Sequence, residues 1–295
     1  MSKHVFWINS FPKSGNTLLR AIISALFFSK DGKFTFDLIR NISQFEMSER
    51  LNFVQDTNES DFKKIEDIYI LSKYLEQAQT KTNLKVRGDF FFLKTHYNYN
   101  LFNKNFFTSD KITRGYIYIV RDPRDVVISW SKFANVSIED SIDFVINDNS
   151  CIRWSNKSEN SKIPKTKFPK VFVSSWNGHV NSWTNNNLKA PNLIIKYEDL
   201  ILKKENVIKN IKVFFKDKLN ITINDFETKL ENIIITTSFN YMQNMESKLG
   251  FGEAKPWSNF FHRGKKKQWI DILTSDQVKI IEQKCKKNLQ KFNYL

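Results

Sequence analysis

Apolar residues in this chain come in short unbroken runs, each closed by a polar turn and then by residues repeating at helical spacing. The runs at 5–8, 90–93, 116–120 and 193–195 are apolar at successive positions, the pattern of strands covered on both faces. Helical patterns follow at 126–133, 205–216 and 275–291, and an amphipathic helix begins inside "WINSFPKSGNTLLRAII". Strands separated by helical stretches predict an α/β chain with a central parallel β-sheet flanked by helices. In such a sheet ligands sit beyond the carboxyl ends of the strands. The motifs described below fall at or soon after strand ends, except one late basic loop.

Two regions read as insertions on this core. Residues 31–89 read as irregular, with a helix near 62–78. Residues 149–170, "NSCIRWSNKSENSKIPKTKFPK", lack an apolar period and predict a mobile loop or lid that, with 31–89, contributes to an acceptor site. There is no internal repeat and no linker, so one domain over 1–295 is expected. The net charge of +15 suits an anionic ligand or partner, and lysine-rich solubility accounts for it equally well. Only residues 263–267 form a dense basic run, so no nucleic-acid partner is expected. Cys151 and Cys285 share no ligand spacing, and the 4 histidines stand apart from Cys or Asp clusters, which argues against a metal site. "MSKHVFWINSFPK" runs from strand into motif rather than forming a signal peptide, and "AIISALFF" is too short to span a membrane. A reduced cytoplasm is the expected location.

The turn "FPKSGNT" lies between strand and helix, where free backbone N–H groups and the helix dipole hold phosphate-like anions. Lys13 supplies charge, Gly15 allows close backbone approach, and Thr17 adds a hydroxyl. A Walker A loop carries its Lys after the last Gly; here Lys13 precedes Gly15 and no earlier Gly is present. That argues against NTP hydrolysis. In "YIYIVRDPRDVVISWSKF", Arg121 ends a strand and Ser129 lies in the following helix, so a guanidinium fork and a hydroxyl can clamp a phosphate. A turn capped by Asp122 and Asp125 is the structural alternative. In "FFFLKTHYNY", His96 follows a strand end, where an imidazole suits proton abstraction near neutrality.

These stretches resemble sulfotransferases that use 3′-phosphoadenosine 5′-phosphosulfate (PAPS), whose donor loop is commonly P-K-S-G-[TN]-T-W. The resemblance implies a P-loop-like fold in which Lys13, Ser14, Gly15, Asn16 and Thr17 hold the 5′-phosphosulfate. Leu18 stands where the family usually has Trp. Arg121 and Ser129 match the 3′-phosphate motif, and Lys94-Thr95-His96 matches the triplet that carries the catalytic histidine. "LIIKYEDL" and "TTSFNYM" resemble two further segments, placing Tyr197, Thr237, Ser238 and Phe239 near the nucleotide. "FFHRGKKKQW" resembles the late R-K-G-x-x-G-x-W loop: Gly264 and Trp269 align, and Lys267 replaces the second Gly. Arg263 is assigned the phosphate contact, with His262 the other candidate. The dimerisation stretch of the family survives here in little but Thr274, so no oligomeric state is implied.

The activity implied is transfer of a sulfuryl group from PAPS to a hydroxylated or amine acceptor, leaving 3′-phosphoadenosine 5′-phosphate (PAP). His96 is the general base and Lys13 and Lys94 stabilise the transition state, with no metal. Two alternatives stand beside it: a non-catalytic polyanion- or nucleic-acid-binding protein, and an ATP-dependent P-loop kinase. The segments 31–89 and 134–190 carry no match, so the acceptor is not named.

Overall fold

The computed structural model describes residues 4–80, 90–102, 104–155, 159–257, 259–261 and 266–295. The sheet strands are β1 (His4–Ser10), β2 (Ser43–Gln44), β3 (Phe90–Thr95), β4 (Thr113–Val120) and β5 (Asn192–Lys196). They form a 5-stranded sheet in the order β2-β3-β1-β4-β5. Every pairing in it is parallel. The helices that cover it are α1 (Asn16–Phe28), α2 (Pro123–Ala134), α3 (Ile138–Ile146), α4 (Trp176–Thr184) and α5 (Tyr197–Leu202). They are followed by α6 (Lys204–Leu219), α7 (Phe226–Thr236), α8 (Phe239–Leu249) and α9 (Ser275–Lys291). The parallel sheet flanked by helices expected from the apolar runs is what the chain forms.

The unbroken apolar runs have a simple cause. Alternate side chains of one strand enter opposite cores. Val5 and Trp7 join Leu93, Tyr116 and Tyr118 on one face, together with residues of α2, α4 and α9. Phe6 and Ile8 join Phe92, Ile117 and Ile119 on the other, together with α1, α6 and α7. Each fully buried side chain of this size contributes roughly 1.5–3 kcal/mol.

Both insertions differ from the sequence expectation. The single helix near 62–78 is instead a set of short helices, Glu59–Lys63, Ile68–Ser72 and Leu75–Thr80. The carboxylate of Asp67 accepts the backbone N–H of Tyr69 at 2.8 Å and so starts a new helix where one was expected to continue. Within 149–170, Cys151–Arg153 and Lys170–Phe172 pair as an antiparallel ribbon. Trp154 and Ile163 are buried, and the Trp154 indole donates to the Tyr97 hydroxyl at 2.8 Å. A buried anchor every nine or so residues leaves no period to read, so this region looked like a loop.

Candidate active site

The carboxyl ends of the strands open into one cleft of about 1250 Å³. Its lining includes Lys13, Gly15, Asn16 and Thr17 from the turn after β1, Lys94 of β3 and His96 just after it, Arg121 after β4, and Tyr197 after β5. Ser129 of α2, Thr237 and Phe239 also line it. Ser14 is fully buried beneath the turn, with its hydroxyl unpartnered. Ser238 is not in the lining; its hydroxyl caps α8 by accepting the Tyr241 N–H at 3.3 Å. Arg263 and Gly264, with His262, lie outside the described residues.

The turn after β1 is held in unusual backbone conformations. Lys13 has φ 66° and Gly15 φ 100°, a region that costs side-chain-bearing residues energy and is common at ligand sites. A Cβ on Gly15 would lie 2.4 Å from Cδ2 of Tyr197, so the absence of a side chain also admits the tyrosine ring. The Asn16 amide points inward, donating to the Ile8 carbonyl and to Ser10 Oγ, each at 3.3 Å. Its side chain therefore ties the turn to β1. No side chain caps the start of α1 and no acidic residue sits in its first turn, which leaves the positive end of the helix facing the cleft.

Charge is concentrated here. Arg121 donates to the Lys13 carbonyl at 2.9 Å and stacks on the Tyr197 ring at 4.4 Å, with its Nε unpartnered. The Lys13 ammonium lies 4.1 Å from the Phe133 ring and 4.5 Å from that of Phe260. Burial, reinforced by the charges of Arg121, Lys94 and Lys255 and opposed by Glu253, lowers the Lys13 pKa to about 7. Burial likewise lowers that of Lys94, against the pull of Glu46 and Glu253. Cations gathered in a concave site can receive an anion.

The His96 ring is oriented by the backbone. Its Nδ1 lies 2.6 Å from the Ser10 carbonyl, an atom that can only accept, so Nδ1 carries the proton and Nε2 is left with its lone pair. Burial and the Lys94 charge hold its pKa well below the ordinary histidine value. The His96 backbone is fixed too. Its N–H donates to Glu46 at 2.9 Å, and its carbonyl lies 3.2 Å from Nε2 of His179. Nδ1 of His179 in turn meets the Tyr118 hydroxyl at 2.9 Å.

Several residues in or behind the cleft went unread in the sequence. Glu46 is fully buried, and besides His96 it takes the Thr95 hydroxyl at 2.5 Å. Arg20 and Glu253 pair at 2.5 Å. Lys204 donates to the Thr237 carbonyl at 2.6 Å, and burial lowers its pKa to about 8. None of these carries a local signal, since each is defined by a partner far away in the chain. Asp122 accepts the Arg124 N–H at 3.0 Å, which is the cap expected of it. Asp125 accepts the N–H groups of Lys267 and Trp269 at 2.7 and 3.2 Å, so it ties the late basic segment to α2. Among the described residues no cluster of His, Cys, Asp or Glu could hold a metal ion, and no helix is long and apolar enough to cross a membrane.

The sequence profile described as "Sulfotransferase domain" matches residues 3–293. No protein of curated function matches the chain by sequence. Among solved structures, retinol dehydratase in complex with androsterone and PAP superposes with a TM-score of 0.59 at 16% identity, over 97% of this chain and 80% of that one. Mouse sulfotransferase SULT7A1 complexed with PAP gives 0.58 at 19% identity, over 97% and 84%. Retinol dehydratase with retinol and PAP gives 0.58 at 16%, over 98% and 82%. At these identities the likeness is one of fold.

Proposed function

The chain belongs to the sulfotransferase domain family, and from that premise we propose that the cleft binds PAPS and transfers its sulfuryl group to a hydroxyl acceptor. The observation that carries this reading is the order of side chains along the sheet. Tyr197 follows β5, Arg121 β4 and the Lys13–Thr17 turn β1, while Lys94 and His96 belong to the end of β3. Neighbouring strands are about 4.8 Å apart, so the strands that lead to His96 and Arg121 are separated laterally by roughly 10 Å across β1. Adenine beside Tyr197, the 3′-phosphate on Arg121 and Ser129, the 5′-phosphosulfate in the turn and the acceptor at His96 fit that line. The unpartnered Arg121 Nε and the desolvated Lys13 are the groups an anionic donor would satisfy.

PAPS supplies a sulfuryl group on a phosphate leaving group: the acceptor oxygen bonds to sulfur as the sulfur–oxygen bond to phosphate breaks, its electron pair leaving on that phosphate. Nε2 of His96 takes the acceptor's hydroxyl proton as the oxygen attacks. Lys13 and Lys94 stabilise the charge that grows on the departing phosphate and the equatorial sulfuryl oxygens. The products are a sulfate ester, PAP and a protonated His96, which returns its proton to water. The cleft is also walled by Met47, Trp130, Phe133, Ile152 and Trp154, a lining that suits an acceptor hydroxyl carried on a largely apolar frame. The retinol and androsterone of the structural neighbours are molecules of that kind.

Titration calorimetry tests the donor assignment. PAP binds more tightly than AMP or ATP with Mg²⁺, and Arg121→Ala lowers PAP affinity roughly 10- to 100-fold, the scale of one charge-assisted phosphate contact. Equal affinity for AMP and PAP would remove the 3′-phosphate clamp and the reading with it. The binding is also expected to depend on pH. With its pKa near 7, Lys13 is largely neutral at pH 8–9 in the free protein, and a bound anion favours the ammonium. PAP affinity therefore weakens as pH rises from 7 to 9, and binding at pH 8 takes up close to one proton, read from calorimetry in buffers of different ionisation enthalpy.

A further inference from the structure

We propose that Glu253 is an intramolecular competitor for the anion subsite of the cleft, a carboxylate of the chain's own that an incoming donor must displace. The inference rests on the donor reading only for the identity of the displacing anion. Arg20 is 3% exposed and held by the carbonyls of the adjoining segment: its Nε and Nη2 reach Ile42 at 3.1 and 2.9 Å, and Nη2 reaches Ile39 at 3.5 Å. That leaves Nη1 as a fixed donor, and Glu253 takes it at 2.5 Å. The other Glu253 oxygen takes the Thr17 hydroxyl at 3.2 Å. Thr17 lies in the first turn of α1, whose uncapped N-terminus faces the same cleft.

So a hydroxyl and a guanidinium of the cleft that could hold a phosphate-like anion are both engaged by a carboxylate. Burial alone would raise the Glu253 pKa, but the charges of Arg20 and Lys94 outweigh it and hold the group ionised. The carboxylate is not locked in a core, since about a third of its side chain stays open (35%). The segment around it is anchored independently. Phe251 packs on Phe36 at 4.7 Å and on Phe260 at 5.0 Å, and Glu246 accepts the N–H groups of Phe260 and Phe261. Glu253 can therefore leave Arg20 by rotating its side chain, with these anchors kept.

The test uses the full chain, with pyrophosphate as a probe of the Thr17–Arg20 subsite and PAP as a probe of the whole donor site. Glu253→Gln removes the charge; Glu253→Asp keeps it but is one methylene too short to reach Arg20. Displacement requires both variants to bind pyrophosphate more tightly than the native chain, by roughly 10- to 100-fold, the scale of a hydrogen-bonded charge pair. A gain in Glu253→Gln alone would mean that Glu253 acts only through its field and would overturn the proposal, as would unchanged or weaker binding in both. If pyrophosphate affinity rises in both variants but no form of the chain prefers PAP to AMP, the competitor stands and the donor assignment fails.

Discussion

Replacing His96 with alanine slows sulfuryl transfer by roughly 10²–10⁴-fold, the span of a lost general base, while PAP affinity stays near that of the native chain. The two effects separate because the residue sits at the end of β3, beyond the turn and Arg121 that are assigned to the donor. Single-turnover rates with labelled PAPS and a hydroxylated acceptor, alongside PAP calorimetry, read them independently. Near-native turnover would remove His96 from the chemistry. With PAPS saturating, so that the bound anion keeps Lys13 charged, the native rate should also hold nearly constant from pH 9 down to pH 6.5. The His96 imidazole pKa is pushed well below the ordinary value by burial and Lys94, so the ring stays neutral and able to accept a proton over that whole interval.

Glu46→Ala is expected to cost about 3–5 kcal/mol of stability, the scale for removing one member of a buried hydrogen-bonded charge group. At a chain of this size each kcal/mol moves the melting temperature by about 2–4 °C, so calorimetric melting should fall by roughly 6 °C or more. The carboxylate is fully buried, and its loss strands the Thr95 hydroxyl and the His96 N–H while removing an anion that favours the charged form of Lys94. Turnover in the folded fraction should fall as well, because these bonds set the height of the His96 backbone. A variant that melts within 1–2 °C of the native chain would show that Thr95 and His96 find other partners.

The strands were legible for a physical reason. Covering both faces of a parallel sheet demands apolar side chains at consecutive positions, and the runs at 5–8, 90–93, 116–120 and 193–195 fall inside β1, β3, β4 and β5. β2 is a pair of polar residues, Ser43–Gln44, with no such run, and it exists only because β3 offers an edge to pair with. The helix expected near 62–78 breaks where Asp67 caps a new start, a contest between local hydrogen bonds that apolar spacing does not report. The region 149–170 hides Trp154 and Ile163 among polar neighbours, and single anchors have no period.

Much of the cleft was legible for a related reason. Lys13 to Thr17, Lys94 with His96, Arg121 and Tyr197 each occupy one short stretch of chain where a strand ends, and a parallel sheet gathers such ends on one side. The sequence by itself determined those strand ends, the chemistry they bring to a common edge, and the fold family they belong to. Tertiary structure alone decided which ionised and hydrogen-bonding groups meet in and behind the cleft: Glu253 with Arg20, 233 positions apart, Glu46 with Thr95, 49 apart, and His179 with His96, 83 apart. A charge pair or a side-chain hydrogen bond needs only nearness in space, which neighbouring residues cannot announce, whereas a strand or a turn is built from those neighbours themselves.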